Sequence, residues 1–163
     1  MAHEHDEQQE HHSSEQELRR HRLEKLERIR ARGDDPFKYA FSRTHLIAEA
    51  RTLFEEAERA VENGGAPAEI PAALAGRMTA MRGHGKSAFA DIRDETDKIQ
   101  VFFGSAQLGE TAYEALKDLD LGDFIGVRGA VRRTRRGEIT LFADACEILT
   151  KSLRPLPEKY HGL

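Results

Sequence analysis

The stretch Ala80-Met-Arg-Gly-His-Gly-Lys-Ser87 ends in the Gly-Lys-Ser of a phosphate-binding loop. Such a loop needs Gly-x-x-x-x-Gly-Lys-Ser, because its backbone N–H groups and the positive end of a following helix cradle phosphate. Here Ala80 occupies the position of the first glycine. The segment that follows, "SAFADIRD", alternates apolar and polar residues as a strand does, with no helical period. Both facts argue against a nucleoside-triphosphate site. "RGHGK" reads instead as a tight turn between two strands, with Gly83 and Gly85 supplying positive φ and Arg82 and Lys86 flanking the tip.

The strand after the turn carries a second kind of chemistry. Ala88, Ala90 and Ile92 share one face; Phe89, Asp91 and Arg93 share the other. In "KIQVFF", Ile99, Val101 and Phe103 form the core face, and Lys98, Gln100 and Phe102 the wet one. Phe89 is then an aromatic ring on a polar surface, with Gln100 on the same face and Arg82 at the mouth of the turn. A ring, an amide and a guanidinium together suit an unpaired base: the ring stacks, the amide reads the edge, and the cation holds edge or phosphate. Parity alone leaves open the alternative that the N-terminal helices cover Phe89.

A basic run, "VRRTRRG", holds Arg132, Arg133, Arg135 and Arg136. At a hairpin tip these are either solvated or aimed at a ligand. In the second case Arg128, Arg132 and the basic residues of the first helix (Arg20, Lys25, Arg28, Arg32) would line a phosphate backbone. Glu138, just past the turn, reads first as a salt-bridge partner. Catalytic constellations are missing: the sequence has no Ser-His-Asp elbow, paired-metal motif or carboxylate dyad. Asp91 and Asp94 read as strand and turn caps. Nothing fixes a coordination geometry for His3, His5, His11 and His12, which read as solvated.

The elements that must position these residues follow from periodicity. Residues 1–14 read as a disordered tail with almost nothing to bury. Residues 15–32 read as a helix with a narrow apolar arc of Leu23, Leu26 and Ile29 and its basic residues on the other side, stopped by "GDDPF". Residues 44–63 read as an amphipathic helix through Leu46, Ile47, Ala50, Leu53, Phe54, Ala57 and Val61. From Leu74 the period becomes two, giving strands in "LAGRMTAMR", "SAFADIRD", "KIQVFF", "DFIGVRGAVRR" and "EITLFADACEIL". Between the third and fourth lies a short helix around Ala112, Tyr113, Leu116 and Leu119. This is an α+β chain: five antiparallel strands with a helix between the third and fourth, as in an oligonucleotide-binding (OB) barrel, preceded by two helices. The expected layout is a tail over 1–14, a helical segment over 15–69, the barrel over 70–152 and a linker over 153–163.

At 163 residues the chain suits one domain with appendages. No window is apolar enough to span a membrane, and no signal peptide is visible. A lone Cys146 excludes an internal disulfide and suits a reducing, cytoplasmic setting. The net charge of −4 hides segregation: residues 1–17 carry six acids and no Lys or Arg, and residues 19–32 carry seven bases and two acids.

The stretches "LAGRMTAMRGHGKSAFADIRDETDKIQVFF" and "LDLGDFIGVRGAVRRTRRGEITLFADACEILTKSLRPLPEKYHGL" resemble the anticodon-binding OB domain of class II lysyl-tRNA synthetases. "LRRHRLEKLERIRARGDDPF" resembles that family's N-terminal helix, and "TKSLRPLPEKYHGL" resembles its passage into the catalytic domain. The resemblance covers residues 15–163 and implies that Phe89 stacks on the central anticodon uridine, Gln100 hydrogen-bonds it, Arg82 assists, and Glu138 contacts another anticodon base. It implies a lysine-accepting tRNA as partner, a homodimer for the full-length enzyme, and no cofactor in this segment. ATP and magnesium belong to a catalytic domain whose motifs are absent here. The expectation is therefore a piece of a lysine–tRNA ligase that binds tRNA without catalysing. The alternatives are a free-standing single-strand-binding module and a protein-interaction domain.

Overall fold

The computed structural model describes residues 2–32 and 41–153. Helix α1 spans Ala2–Ala31 and so runs through the segment whose composition suggests a tail. That segment is polar but holds neither Gly nor Pro, and its Glu and Gln are good helix formers. Arg28 and Arg30 in the last turn of α1 complement the helix dipole. The breaker at 33–37, the linker from residue 154 on, and the side chains of His3, His5, His11 and His12 lie outside the described residues.

Helix α2, Ile47–Arg59, is shorter than its apolar period suggests. The residues before it are taken by the barrel: Thr44 exchanges hydrogen bonds with the backbone of Ala73. Its first free N–H groups are satisfied from far along the chain. Ile47 N–H donates to the Asp94 carboxylate at 2.8 Å, and Ala48 N–H to the Thr96 hydroxyl at 3.0 Å. Helix termini need such partners, and here the turn between two strands supplies them.

Five strands follow: β1 Ile70–His84, β2 Ser87–Arg93, β3 Lys98–Gly104, β4 Phe124–Arg133 and β5 Ile139–Thr150. They close into a barrel in the order β1-β2-β3-β5-β4. Every neighbouring pair is antiparallel except β3–β5, which is parallel. Strand β1 starts before Leu74 because Ile70 to Ala73 pair with Val131 to Arg128 of β4, which closes the sheet. The connection from β3 to β4 holds α3 (Ser105–Leu108), α4 (Glu110–Ala115) and a 3₁₀ turn over Leu116–Asp118.

Alternation places Leu74, Met78, Ile92, Ile99, Val101, Phe103, Ile125, Val127 and Leu141 inside, all fully buried, and α2 adds Ile47, Ala50 and Phe54 to the same core. Burying each large side chain contributes roughly 1.5–3 kcal/mol, so the inward parity of every strand is strongly enforced. The outward parity, which carries the candidate site, is its by-product. Gly129 sits at a bulge in the β4–β5 ladder, where a Cβ would come within 1.9 Å of the Phe142 carbonyl oxygen. Only glycine lets β4 approach β5 beside Phe142.

Candidate nucleic-acid interface

Strand register lays two rows of side chains across the outside of the barrel. In the first, Arg82, Phe89, Phe102 and Phe142 are successive cross-strand partners from β1 through β2 and β3 to β5. In the second, Asp91, Gln100, Thr140 and Arg132 are successive partners from β2 through β3 and β5 to β4. An aromatic row and a polar row thus lie side by side.

The three rings touch. Phe89 and Phe102 have centroids 5.1 Å apart and tilted by 56°; Phe102 and Phe142 are 5.4 Å apart and tilted by 52°. All three are half-buried. Such tilted contacts hold rings in place beyond their area burial. The Arg132 guanidinium lies 4.3 Å from the Phe142 centroid, and its Nε is 3.7 Å from the Glu69 carboxylate. In the polar row, the Gln100 amide nitrogen donates to the Thr140 hydroxyl at 3.2 Å, and that hydroxyl donates to the Glu138 carbonyl at 3.3 Å.

Arg82 is exposed and directly opposite Phe89, at the foot of the β1–β2 hairpin. That hairpin turns on Gly85 alone, with φ of +64°; Gly83 stays in the ladder opposite Ala88, contrary to the reading that gives both glycines positive φ. One glycine at the first central position suffices for a two-residue turn. Tyr113 of α4 donates to the Gly85 carbonyl at 3.1 Å and braces the tip. Phe89 and Gln100 share the outer face but lie diagonally, since Phe102 faces Phe89 and Asp91 faces Gln100. Glu138 is exposed beyond Thr140, after the β4–β5 turn. Phe142 was not singled out from the sequence, yet parity marks it: Ile139, Leu141 and Ala143 are buried, and Phe142 alternates with them beside exposed Asp144.

The basic helix is placed differently from expectation. Helical rows put Arg22, Lys25, Leu26 and Ile29 on one face, and that face meets the barrel. The Lys25 ammonium is 2.7 Å from the Asp120 carboxylate. Arg28 and Arg32 reach Asp118 at 2.9 and 2.7 Å. These three bases are therefore paired with the protein's own acids. Arg20 is exposed and meets Glu24 of its own helix at 4.0 Å, and Arg28 and Arg32 also keep part of their side chains in water while paired with Asp118. Arg132 likewise lies on Phe142, and Arg128 stacks over Phe41 at 4.8 Å.

Burial alone would raise the Asp118 carboxyl; hydrogen bonds from Arg32 and Arg28 outweigh it and hold the group below the usual range. Asp120 behaves alike, its burial outweighed by Lys151 and Lys25. Lys151 also donates to the buried Asp123 at 2.7 Å. This network ties α1 to the segment before β4 and to the residue just after β5. Elsewhere, burial and then Glu147 push the Cys146 thiol up to about 12, so it is no nucleophile near neutral pH. Among the described residues no group of His, Cys, Asp and Glu could hold a metal ion.

Residues 72–149 match the tRNA anti-codon family, described as an OB-fold nucleic acid binding domain. The chain is 48% identical over 91% of its length to a lysine–tRNA ligase of Dehalococcoides mccartyi. It is 45% identical over 90% of its length to that of Carboxydothermus hydrogenoformans, and 44% identical over 87% to that of Enterococcus faecalis. The matched stretch spans only 28–29% of the length of these relatives. With the closed barrel, the helix between β3 and β4 and these relatives in agreement, the chain belongs to the OB-fold anticodon-binding domain family of the lysine–tRNA ligases.

Proposed function

We propose that this chain reads the anticodon of a lysine-accepting tRNA on the aromatic and polar rows outside the barrel. The observation that carries the reading is the juxtaposition of the half-exposed Phe89 ring, held by Phe102, with the Gln100 amide one pair further along the same face. Phe89 stacks on an unpaired base, Gln100 hydrogen-bonds its edge, and Arg82 holds an edge or phosphate oxygen. Glu138 meets a neighbouring base. Exposed Arg20, Arg135 and Arg136 supply sequence-independent attraction to phosphate. The parent protein in this reading is a class II lysine–tRNA ligase, dimeric and cytoplasmic, in which another domain activates lysine with ATP and magnesium. This segment contributes binding and no catalysis.

The rival reading is sequence-tolerant single-strand binding, favoured by the row of three phenylalanines, because every base has a π-face. A tRNA-like hairpin with a UUU loop, titrated against the same hairpin with a scrambled loop, separates the two. Tighter binding of UUU supports anticodon reading; equal affinities leave only the single-strand module.

A further inference from the structure

We infer that Thr140 sets the base specificity of this site by fixing which way the Gln100 amide points. The inference rests on the anticodon reading above and deepens it. Stacking on Phe89 is indifferent to base identity, so discrimination must come from the polar row. An amide can discriminate only if it cannot flip, because its two ends offer opposite chemistry: an oxygen that accepts and a nitrogen that donates.

Thr140 prevents the flip. It is the fully buried member of the polar row. Its hydroxyl has one proton, and that proton goes to the Glu138 carbonyl at 3.3 Å. Only lone pairs then face Gln100, and they accept from the amide nitrogen at 3.2 Å. With the amide reversed, two acceptors would face each other and a buried oxygen would lose its partner. The relay from Gln100 to Thr140 to the Glu138 backbone therefore spends one of the two amide N–H groups and fixes the Gln100 oxygen on the side away from Thr140, where a ligand can meet it. An offered oxygen selects a base with a proton on its ring nitrogen, as in uracil, and disfavours cytosine, whose corresponding nitrogen carries a lone pair. Arg82, which only donates, complements a carbonyl oxygen flanking that N–H. Thr140 is thus a positioning residue acting through Gln100. Glu138 contributes to specificity through its main chain as well as through any contact of its carboxylate.

The test uses the full 163-residue chain and three hairpins: a UUU loop, a UCU loop, and a UUU loop whose central uridine is methylated on its ring nitrogen. The wild type should prefer UUU to UCU by about tenfold, the scale of one net hydrogen bond and its unsatisfied alternative, and should lose about as much with the methylated base. Thr140→Val should reduce the UUU/UCU ratio to about twofold or less, and Thr140→Ser should restore it. A Thr140→Val protein that keeps the full ratio overturns the relay. So does a wild type that binds the methylated loop as well as UUU, a readout that stands even where the valine variant fails to fold. Equal binding of UUU and scrambled loops by the wild type sinks the anticodon reading itself, and the relay with it.

Discussion

Arg28 donates to the buried carboxylate of Asp118 at 2.9 Å, joining the N-terminal helix to the segment that precedes β4. Asp118 is 1% exposed, whereas Arg28 keeps 52% of its side chain in water. The basic residues of α1 that look from the sequence like a nucleic-acid footprint are in good part a docking face for the protein's own acids. Replacing Asp118 by Asn keeps the volume but removes the charge that Arg28 and Arg32 share. Stability to urea should fall by roughly 1–2 kcal/mol, a figure reduced for the exposure of the arginines. An unchanged midpoint would mean that the contact contributes nothing to docking.

The same carboxylates predict an acid limb of stability. Asp118 and Asp120 are held below the usual carboxylate range when folded. A depressed folded pKa gives stability that is fully present above the unfolded value, about 3.9, and is lost as pH falls through the folded value. Melting temperature should thus hold between neutrality and about pH 5, then drop steeply below about pH 4. Asp118→Asn should show a shallower drop. Parallel curves for the two proteins would count against Asp118 as a source of the acid limb.

Phe89→Ala should weaken binding of the UUU hairpin by roughly 1–3 kcal/mol, the range for loss of one stacked base. Because Phe89 also rests on Phe102, a melt of the variant must accompany the titration. Undiminished affinity in a folded variant would make Phe89 a structural ring only.

Salt dependence separates the two classes of base. Arg135→Ala, at the exposed β4–β5 tip, should lower affinity for all hairpins alike and reduce the salt slope by about one. Lys25→Ala should instead lower stability and leave the slope nearly unchanged, because its ammonium is already paired with Asp120 at 2.7 Å. A slope reduced in the lysine variant and untouched in the arginine variant would reverse these assignments.

Much of the barrel was legible from alternation. The parity of Ser87–Arg93 and Lys98–Gly104 already put Phe89, Gln100 and Phe102 outside and Ile92, Val101 and Phe103 inside. The failed turn motif gave the hairpin, since Ala80 and the strand pattern after it left no helix to bind phosphate. Less legible was α1. Its angular pattern does place Lys25 beside Ile29, but charge is commonly assigned to solvent, and the acids that take it inward lie about 90 residues away in sequence.

Local sequence, then, decided which faces are wet and which are dry, because a strand's side-chain period is two and burial of one face is worth many kilocalories. It also decided where the chain turns. Only the tertiary structure decided which wet residues meet. The parallel pairing of β3 with β5 brings Phe142 against Phe102 and Thr140 against Gln100, joining segments that no local pattern connects. Contacts of that kind depend on barrel closure, where register between distant strands sets the neighbour, and they turn a ring and an amide into one surface.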